Sequence, residues 1–347
     1  MPALSNDSLY RRLRVALSEG TEFHTPANAI HPAEFSVPGF GNVRAYLFTV
    51  TPDRSAPGAR PPGEFKIQLI IEGQTRGERG ALELRDAYTA LLGFSPDFGV
   101  FVGWEARLYS TFGYSANVQV REPLLVEARN NGWAVAQPRP IRGSTEVRVA
   151  FAAGNLLLYL RASRQADKRE LTGAWREAFM LSKAPGYQAE ELPSRPRDLD
   201  VYVQRERQRL NATRLSRDSK FAPRVKEQFD YSCAVCAVQL EIVEAAHIIP
   251  VNDSRSSDDV WNGLSLCPSH HTLFDARRFI VGPNLKIVVD DDAVAFLKES
   301  GRASGIELLT SFQGQEIRPP QFWKTSQKLQ QRMQEALIYT HSLTGIE

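Results

Sequence analysis

The stretch that decides the fold of the C-terminal half is YSCAVCAVQLEIVEAAHIIPVNDSRSSDDVWNGLSLCPSHHTLFDARRFIV, residues 231–281. It contains all three cysteines of the 347-residue chain, which are Cys233, Cys236 and Cys267. It also contains three of the six histidines, which are His247, His270 and His271. Because cysteine and histidine are the usual ligands of transition metals, this clustering indicates a metal-binding segment.

The cysteines are spaced as metal ligands. Cys233 and Cys236 form a C-x-x-C pair, and Cys267 and His270 form a C-x-x-H pair further along the chain. Two such pairs supply four ligands to a tetrahedral Zn²⁺ ion. The alternative is a set of buried free thiols beside a surface histidine, but every cysteine of the chain falls in a ligand-spaced pair. We therefore expect a structural Cys₃His zinc site, on which the folding of this short segment depends.

Four further residues of the segment are not used by this zinc site. His247 precedes an Ile-Ile-Pro turn, Asn262 lies in NGLSLC, and His271 lies in HHTLFD, four residues before Asp275. In this order they resemble the motif of the HNH nucleases, over roughly residues 229–289. The resemblance implies a ββα-metal fold, in which a β-hairpin and a helix hold one divalent cation, and it implies phosphodiester hydrolysis as the activity.

The resemblance also implies a role for each of these residues. His247 is expected to act as the general base, because a neutral imidazole accepts a proton from water near neutral pH. Asn262 is expected to orient His247. His271 is expected to bind the catalytic cation. Asp275, one helical turn later, is expected to be a further ligand of the same cation. Nitrogen and oxygen ligands of this kind suit Mg²⁺, Mn²⁺ or Ni²⁺.

One position departs from the family pattern. Many HNH nucleases have an Asp or His directly before the general base, and Ala246 stands there in this chain. Either Asp275 supplies the missing ligand, or the cation is held more weakly and is shared with a DNA phosphate. Glu244 is left outside the predicted site. The assignment of His270 to zinc and His271 to the catalytic cation could also be exchanged.

The N-terminal half mixes helical and strand-like patterns. Strands are predicted at residues 43–50, 65–71, 98–103 and 147–151 from their β-branched and aromatic residues. Helices are predicted from their apolar spacing near residues 9–17, with Asn6 or Asp7 as the cap, and at residues 78–92 and 171–179. The fold class is therefore α+β, with an N-terminal mixed α/β recognition domain and a C-terminal ββα-metal (HNH) nuclease domain that has a structural zinc.

A basic segment lies between the two halves. Residues 1–184 are predicted as a target-recognition or sensor domain, 185–227 as a linker and basic helical segment, and 228–347 as the nuclease domain. Residues 204–227 carry eight Lys or Arg against three acidic residues. The expected DNA contacts are Arg205, Arg207, Arg209, Arg214, Arg217, Lys220 and Arg224.

Aromatic residues cluster in the N-terminal half, at Trp104, Tyr109, Phe112 and Tyr114. At this spacing aromatic residues usually belong to a hydrophobic core. The alternative interpretation is that they stack on a flipped or modified base.

The composition limits the class of protein. The chain has 42 Lys and Arg against 40 Asp and Glu, which excludes a uniformly basic coat for nucleic acid. No apolar run approaches the roughly 18 residues of a membrane span. Three clustered cysteines do not make a disulfide framework, so we expect a cytoplasmic protein with no membrane partner.

A recognition domain followed by an HNH unit resembles the HNH-type and modification-dependent restriction endonucleases of bacteria. The resemblance implies an endonuclease that acts on double-stranded DNA as a homodimer. One alternative is an anti-phage effector nuclease whose first domain senses a ligand. The other is a zinc-containing DNA-binding protein that has lost catalysis, an interpretation that only Ala246 favours.

Overall fold

The computed structural model describes residues 3–17, 20–25, 32–52, 63–71, 73–141, 143–185, 192–195, 198–213, 220–251, 253, 255–299 and 301–344. The chain forms two compact units, Pro2–Leu215 and Ser216–Glu347. The functional boundaries at residues 184 and 227 stay a prediction. No helix among these residues is both long enough and apolar enough to cross a membrane.

The N-terminal unit consists mainly of β-strands. Its strands are β1 (Glu22–Phe23), β2 (Ala33–Val37), β3 (Gly41–Thr49), β4 (Thr51–Pro52), β5 (Glu64–Leu69), β6 (Arg79–Ala81), β7 (Tyr88–Ser95), β8 (Val100–Trp104), β9 (Thr111–Gly113), β10 (Ala116–Arg121), β11 (Trp133–Val135), β12 (Arg139–Ile141), β13 (Ser144–Glu146) and β14 (Val149–Ala152). Its helices are α1 (Asn6–Ala16), α2 (Glu122–Asn131), α3 (Leu156–Lys168), α4 (Gly173–Leu181) and α5 (Leu199–Thr213).

The largest sheet of this unit has the strand order β1-β2-β3-β7-β8-β14-β11. Strands β3 and β7 are parallel, and the other neighbours in the sheet are antiparallel. A second sheet has the order β10-β5-β4, and β12 with β13 and β6 with β9 form two-stranded pairs. One hydrophobic cluster joins the two larger sheets through Leu91 and Val102 of the first and Ile67 and Val118 of the second. The predicted α+β class is confirmed.

The predicted helix at residues 78–92 is wrong, because this segment forms β6 and most of β7. Strand β7 lies in the middle of the large sheet between β3 and β8. Leu91, Leu92 and Phe94 are fully buried. Both faces of β7 are therefore buried, and its apolar residues follow one another without the alternation of a strand that has one exposed face. Such a run resembles the pattern of a buried helix.

The other predicted elements of the N-terminal unit are present with shifted ends. The predicted strands correspond to β3, β5, β8 and β14, and the predicted helices near residues 9–17 and 171–179 correspond to α1 and α4. The cap of α1 is Ser5, whose hydroxyl accepts a hydrogen bond from the Ser8 backbone N–H at 3.2 Å, and not Asn6 or Asp7. Residues 53–62, between β4 and β5, lie outside the described residues.

The C-terminal unit contains the predicted ββα arrangement. Its strands are β15 (Glu244–His247), β16 (Gly263–Leu266), β17 (Phe279–Val281) and β18 (Ile287–Val289). Its helices are α6 (Phe221–Gln228), α7 (Pro268–Asp275), α8 (Asp291–Glu299), α9 (Glu307–Thr310), α10 (Phe322–Thr325) and α11 (Gln327–Leu343). Strands β15 and β16 pair antiparallel, with His247 opposite Gly263, and α7 follows directly.

Helix α6 packs closely on this hairpin. A Cβ atom added to Gly263 would lie 2.3 Å from a methyl carbon of Val225 and 3.1 Å from the Phe221 ring. Such distances are far below van der Waals contact, so only glycine allows the helix to approach the strand this closely. The close approach brings Phe221 against the end of β15, where His247 lies.

Candidate active site and metal centre

The three cysteines and His270 converge on one point in the C-terminal unit. One ligand atom from each of Cys233, Cys236, Cys267 and His270 lies within 4.8 Å of the others. The Cys267 sulfur is 3.2 Å from His270 Nδ1, and the Cys236 and Cys267 sulfurs are 4.0 Å apart. These separations are close to those between the ligands of a tetrahedral zinc ion, whose bonds to sulfur and nitrogen are about 2.0–2.3 Å long.

Neighbouring groups orient the His270 ring and influence the protonation of Cys236. The Nε2–H of His270 donates to the Leu308 carbonyl at 3.2 Å, so the Nδ1 lone pair points at the cysteines. Burial, followed by the neighbouring thiols, raises the pKa of Cys236 to about 12. Without a cation the Cys236 sulfur would therefore stay protonated, whereas a bound metal ion would hold it as a thiolate. The donor set and the geometry fit a structural zinc.

His247 is held at the end of β15 by two contacts. Its Nε2–H donates to the Asp258 carboxylate at 2.9 Å. The Phe221 ring stacks on the imidazole with the ring centroids 3.9 Å apart and the planes inclined by 16°. The His247 side chain is only 7% exposed. An acceptor on one nitrogen and a ring on one face define the plane of the imidazole and its tautomer.

Asn262 organises the loop that follows His247. Its side-chain oxygen accepts from the Ile249 N–H at 2.8 Å, and its amide donates to the carbonyls of Ile249 and Ser257. Its backbone carbonyl accepts from the Ile248 N–H at 2.9 Å. Asn262 is fully buried, so these bonds fix the loop strongly. Asn262 is therefore linked to His247 only through the backbone of the turn among these bonds, and its role in orienting His247 stays a prediction.

His271 lies on α7 between two carboxylates. Its Nδ1 is 2.6 Å from a carboxylate oxygen of Glu244, and its Nε2 is 3.5 Å from a carboxylate oxygen of Asp275. Glu244, outside the predicted site, is therefore in direct contact with a predicted site residue. The side chains of His271, Glu244 and Asp275 are 23%, 54% and 61% exposed, which leaves them accessible to a cation and to substrate.

The predicted basic contacts are divided between the two units. Arg207, on α5, is bound inside the N-terminal unit by Glu177 at 2.7 Å and by the Val135 carbonyl at 2.7 Å. Arg224, on α6, donates to the carbonyls of Lys220 and Asp258. The exposed residues of the set are Arg205, Lys220 and Arg224. Arg214 and Arg217 lie outside the described residues, as does the side chain of Arg209. DNA binding by this set stays a prediction.

Three of the four clustered aromatic residues belong to the core. Trp104, Tyr109 and Phe112 are each at most 4% exposed and lie in the main hydrophobic cluster. They are therefore unable to stack on a base, and that interpretation is wrong for them. Tyr114 is different, because it is 41% exposed and lines an open pocket together with Arg76 and Arg79.

Comparisons with known proteins agree with the geometry of the C-terminal unit. Residues 233–282 match the family described as HNH endonuclease. Residues 233–282 of the C-terminal unit are therefore an HNH endonuclease domain, a family whose activity is phosphodiester hydrolysis. Residues 41–160 match the family described as Methylase-associated X1.

Among solved structures, the chain is similar to one titled "Modification dependent TagI restriction endonuclease". The identity is 13% and the TM-score is 0.21, over 85% of this chain and 80% of that chain. No curated protein matches the sequence.

Sequence patterns do not assign three residues to the site, namely Asp258, Phe221 and Glu244. Asp258 and Phe221 reach His247 from outside the strand, and no spacing rule links them to it. For Glu244 a signal exists. Side chains two positions apart point to the same face of a strand, so Glu244 shares the face of position 246, where the family has a metal ligand.

Proposed function

We propose that this protein is a restriction endonuclease that cleaves double-stranded DNA with its HNH domain and selects the target with its N-terminal unit. The observation that carries the proposal is the arrangement of His247. Its ring is fixed by Asp258 and Phe221 at the end of a ββα hairpin, with His271 on the adjoining helix. A base with a defined orientation is what hydrolysis of a phosphodiester by water requires.

In this proposal His247 removes a proton from the attacking water, and Asp258 stabilises the imidazolium that forms. Asn262 keeps the loop and the base in place. His271 Nε2 and the Asp275 carboxylate would hold a divalent cation, for which Mg²⁺, Mn²⁺ and Ni²⁺ suit the donors. Such a cation supplies charge stabilisation at the phosphate and the leaving oxygen. The Cys₃His cluster would hold a zinc ion that supports the fold.

The N-terminal unit is proposed to read the target. Its match carries the description methylase-associated, which supports dependence of cleavage on the methylation state of DNA. Tyr114, Arg76 and Arg79 provide an exposed aromatic ring and two cations at one pocket. Aromatic rings stack on bases and guanidinium groups bind phosphates, so this pocket suits a nucleotide. Cleavage of both strands would use two copies of the chain.

The proposal is tested with a plasmid panel. Unmodified, methylated and hydroxymethylated plasmids are incubated with the protein in Mg²⁺, Mn²⁺ or Ni²⁺, with His247→Ala as the control. We expect discrete bands from one class of plasmid. A smear, or cleavage that needs an added ligand, would favour an effector nuclease. Failure to cleave with any ion, together with tight and salt-sensitive DNA binding, would favour a DNA-binding protein.

Tyr114→Ala is expected to weaken binding to the preferred DNA by about 1–3 kcal/mol, because one base loses its stacking partner. The thermal stability should not change, since the ring is exposed. Fluorescence anisotropy with a labelled duplex measures the affinity. Leu84→Ala, which removes another exposed side chain of the same unit, is the control. Equal affinities of the Tyr114 variant and the parent protein would remove this residue from the reading site.

A further inference from the structure

We propose that Glu244 is a positioning residue for the catalytic cation. It holds a proton on Nδ1 of His271 and thereby directs the Nε2 lone pair towards the side of Asp275. The inference rests on the proposed nuclease function, because it assumes that His271 is a ligand of the catalytic cation. It assigns a task to a residue that lies outside the motif.

The contact itself defines the tautomer of His271. A carboxylate oxygen only accepts, so the 2.6 Å contact between Glu244 and Nδ1 places the proton on Nδ1. The other ring nitrogen, Nε2, then has its lone pair available in the neutral imidazole. That nitrogen faces Asp275, at a separation of 3.5 Å. This is longer than an ordinary N–H···O hydrogen bond.

The strand explains how Glu244 reaches this place. Glu244 and Ala246 lie on the same face of β15, because side chains alternate along a strand. Ala246 is fully buried, whereas Glu244 is half-exposed at the start of the strand, opposite Leu266 in β16. The methyl group of Ala246 offers no donor atom. The longer side chain two residues earlier therefore provides the carboxylate on this face of the hairpin.

The geometry favours a positioning role over direct ligation. Glu244 and Asp275 contact opposite nitrogens of one ring, and a single ion does not lie at both edges of an imidazole. Within the described ranges, the only group of three or more His, Cys, Asp or Glu that meets at one point is the Cys₃His cluster. In this proposal His271 and Asp275 would hold the catalytic cation, with water and the DNA phosphate as its other ligands.

A carboxylate behind a ligating histidine has a known physical effect. It fixes the tautomer and the ring orientation, and it makes the opposite nitrogen a stronger donor. Loss of such a partner typically lowers metal affinity by about 10–100-fold. Glu244 would in this way offset part of the affinity that Ala246 removes.

The test measures metal binding by the full-length, zinc-loaded protein. Mn²⁺ is titrated calorimetrically into the parent protein, Glu244→Gln, Glu244→Leu and His271→Ala. We expect Glu244→Leu to bind Mn²⁺ about 10–100-fold more weakly. Glu244→Gln, which keeps a hydrogen-bond acceptor, should be intermediate. The matched control is Glu241→Leu, which removes an exposed glutamate from the turn just before β15.

A second readout reports on the proton itself. The imidazole ¹⁵N shifts of His271, assigned with His271→Ala, should show the Nδ1–H tautomer in the parent protein and a mixture in Glu244→Leu. Raising the Mn²⁺ concentration should restore the cleavage rate of Glu244→Leu, because its defect lies in affinity. A merely structural defect would not be corrected in this way.

Three outcomes decide the matter. Unchanged Mn²⁺ affinity and tautomer in Glu244→Leu would overturn the inference. Complete loss of Mn²⁺ binding, as in His271→Ala, would make Glu244 a direct ligand and would also overturn it. If the parent protein cuts no plasmid while the affinity and tautomer shifts appear as expected, the inference stands and the proposed nuclease function fails.

Discussion

Replacing His247 by alanine is expected to lower the rate of DNA cleavage by about 10²–10⁴-fold, the usual contribution of a general base. In the proposed mechanism the imidazole accepts the proton of the attacking water. Removing it should change neither the zinc content nor the affinity for DNA, because the Cys₃His cluster and the exposed basic residues do not involve this side chain. Cleavage is measured under single-turnover conditions with saturating Mg²⁺ or Mn²⁺.

A second variant, at Asp258, tests the contribution of the carboxylate that contacts the proposed base. Asp258→Asn keeps the size of the side chain and removes the charge that stabilises the imidazolium. A hydrogen bond to a charged group is worth about 1.5–3 kcal/mol, so a loss of about 10- to 100-fold in kcat with little change in KM is expected. Cleavage at the parental rate by His247→Ala would show that another group activates the water.

Replacing Cys233 by serine is expected to remove the bound zinc and to unfold the C-terminal unit. Structural zinc sites contribute on the order of 10 kcal/mol to apparent folding, which is comparable to the whole stability of an ordinary domain. Cys233 is fully buried, and its sulfur is 3.6 Å from His270 Nδ1. Elemental analysis measures the metal content, and differential scanning calorimetry measures the unfolding of the two units.

His271→Ala is the matched control for the zinc prediction, because His271 is the next residue on the same helix and contacts Glu244 instead of the cysteines. This variant should retain one zinc per chain and a normal unfolding transition while losing cleavage. The reverse result, zinc lost in His271→Ala and kept in His270→Ala, would exchange the two histidines.

Much of the C-terminal unit is predictable from the sequence, because its metal ligands and motif residues occur at characteristic spacings along a short segment. Ligand spacing predicts the Cys₃His cluster, which the structure assembles from the turn at Cys233 and Cys236 and from the start of α7. The order of His247, Asn262 and His271 predicts the hairpin and helix, which are present as β15, β16 and α7. The sequence does not reveal that the hydrogen bonds of Asn262 go to the backbone of the turn.

The features that the sequence does not predict depend on contacts between segments that lie far apart in the chain. The segment at residues 78–92 contains strands β6 and most of β7 instead of a helix. This is because β7 pairs with β3 and β8 along its edges and its two faces are buried by the rest of the unit, which is a fact of tertiary structure. Asp258 reaches His247 from the loop after β15, and Phe221 reaches it from α6. Neither contact has a local signature. Trp104, Tyr109 and Phe112 are not among these features, because their spacing already favours the hydrophobic core, where they lie.

Helix α6 has a consequence for engineering. The stretch that matches the HNH endonuclease family, residues 233–282, contains every motif residue. It lacks Phe221, which covers the His247 ring, and Leu308, whose carbonyl sets the tautomer of His270. It also lacks Tyr339 of α11, which donates to the Asp253 carboxylate in the loop after β15 at 2.7 Å. An isolated nuclease domain for fusion to other DNA-binding proteins must therefore extend from α6 through α11.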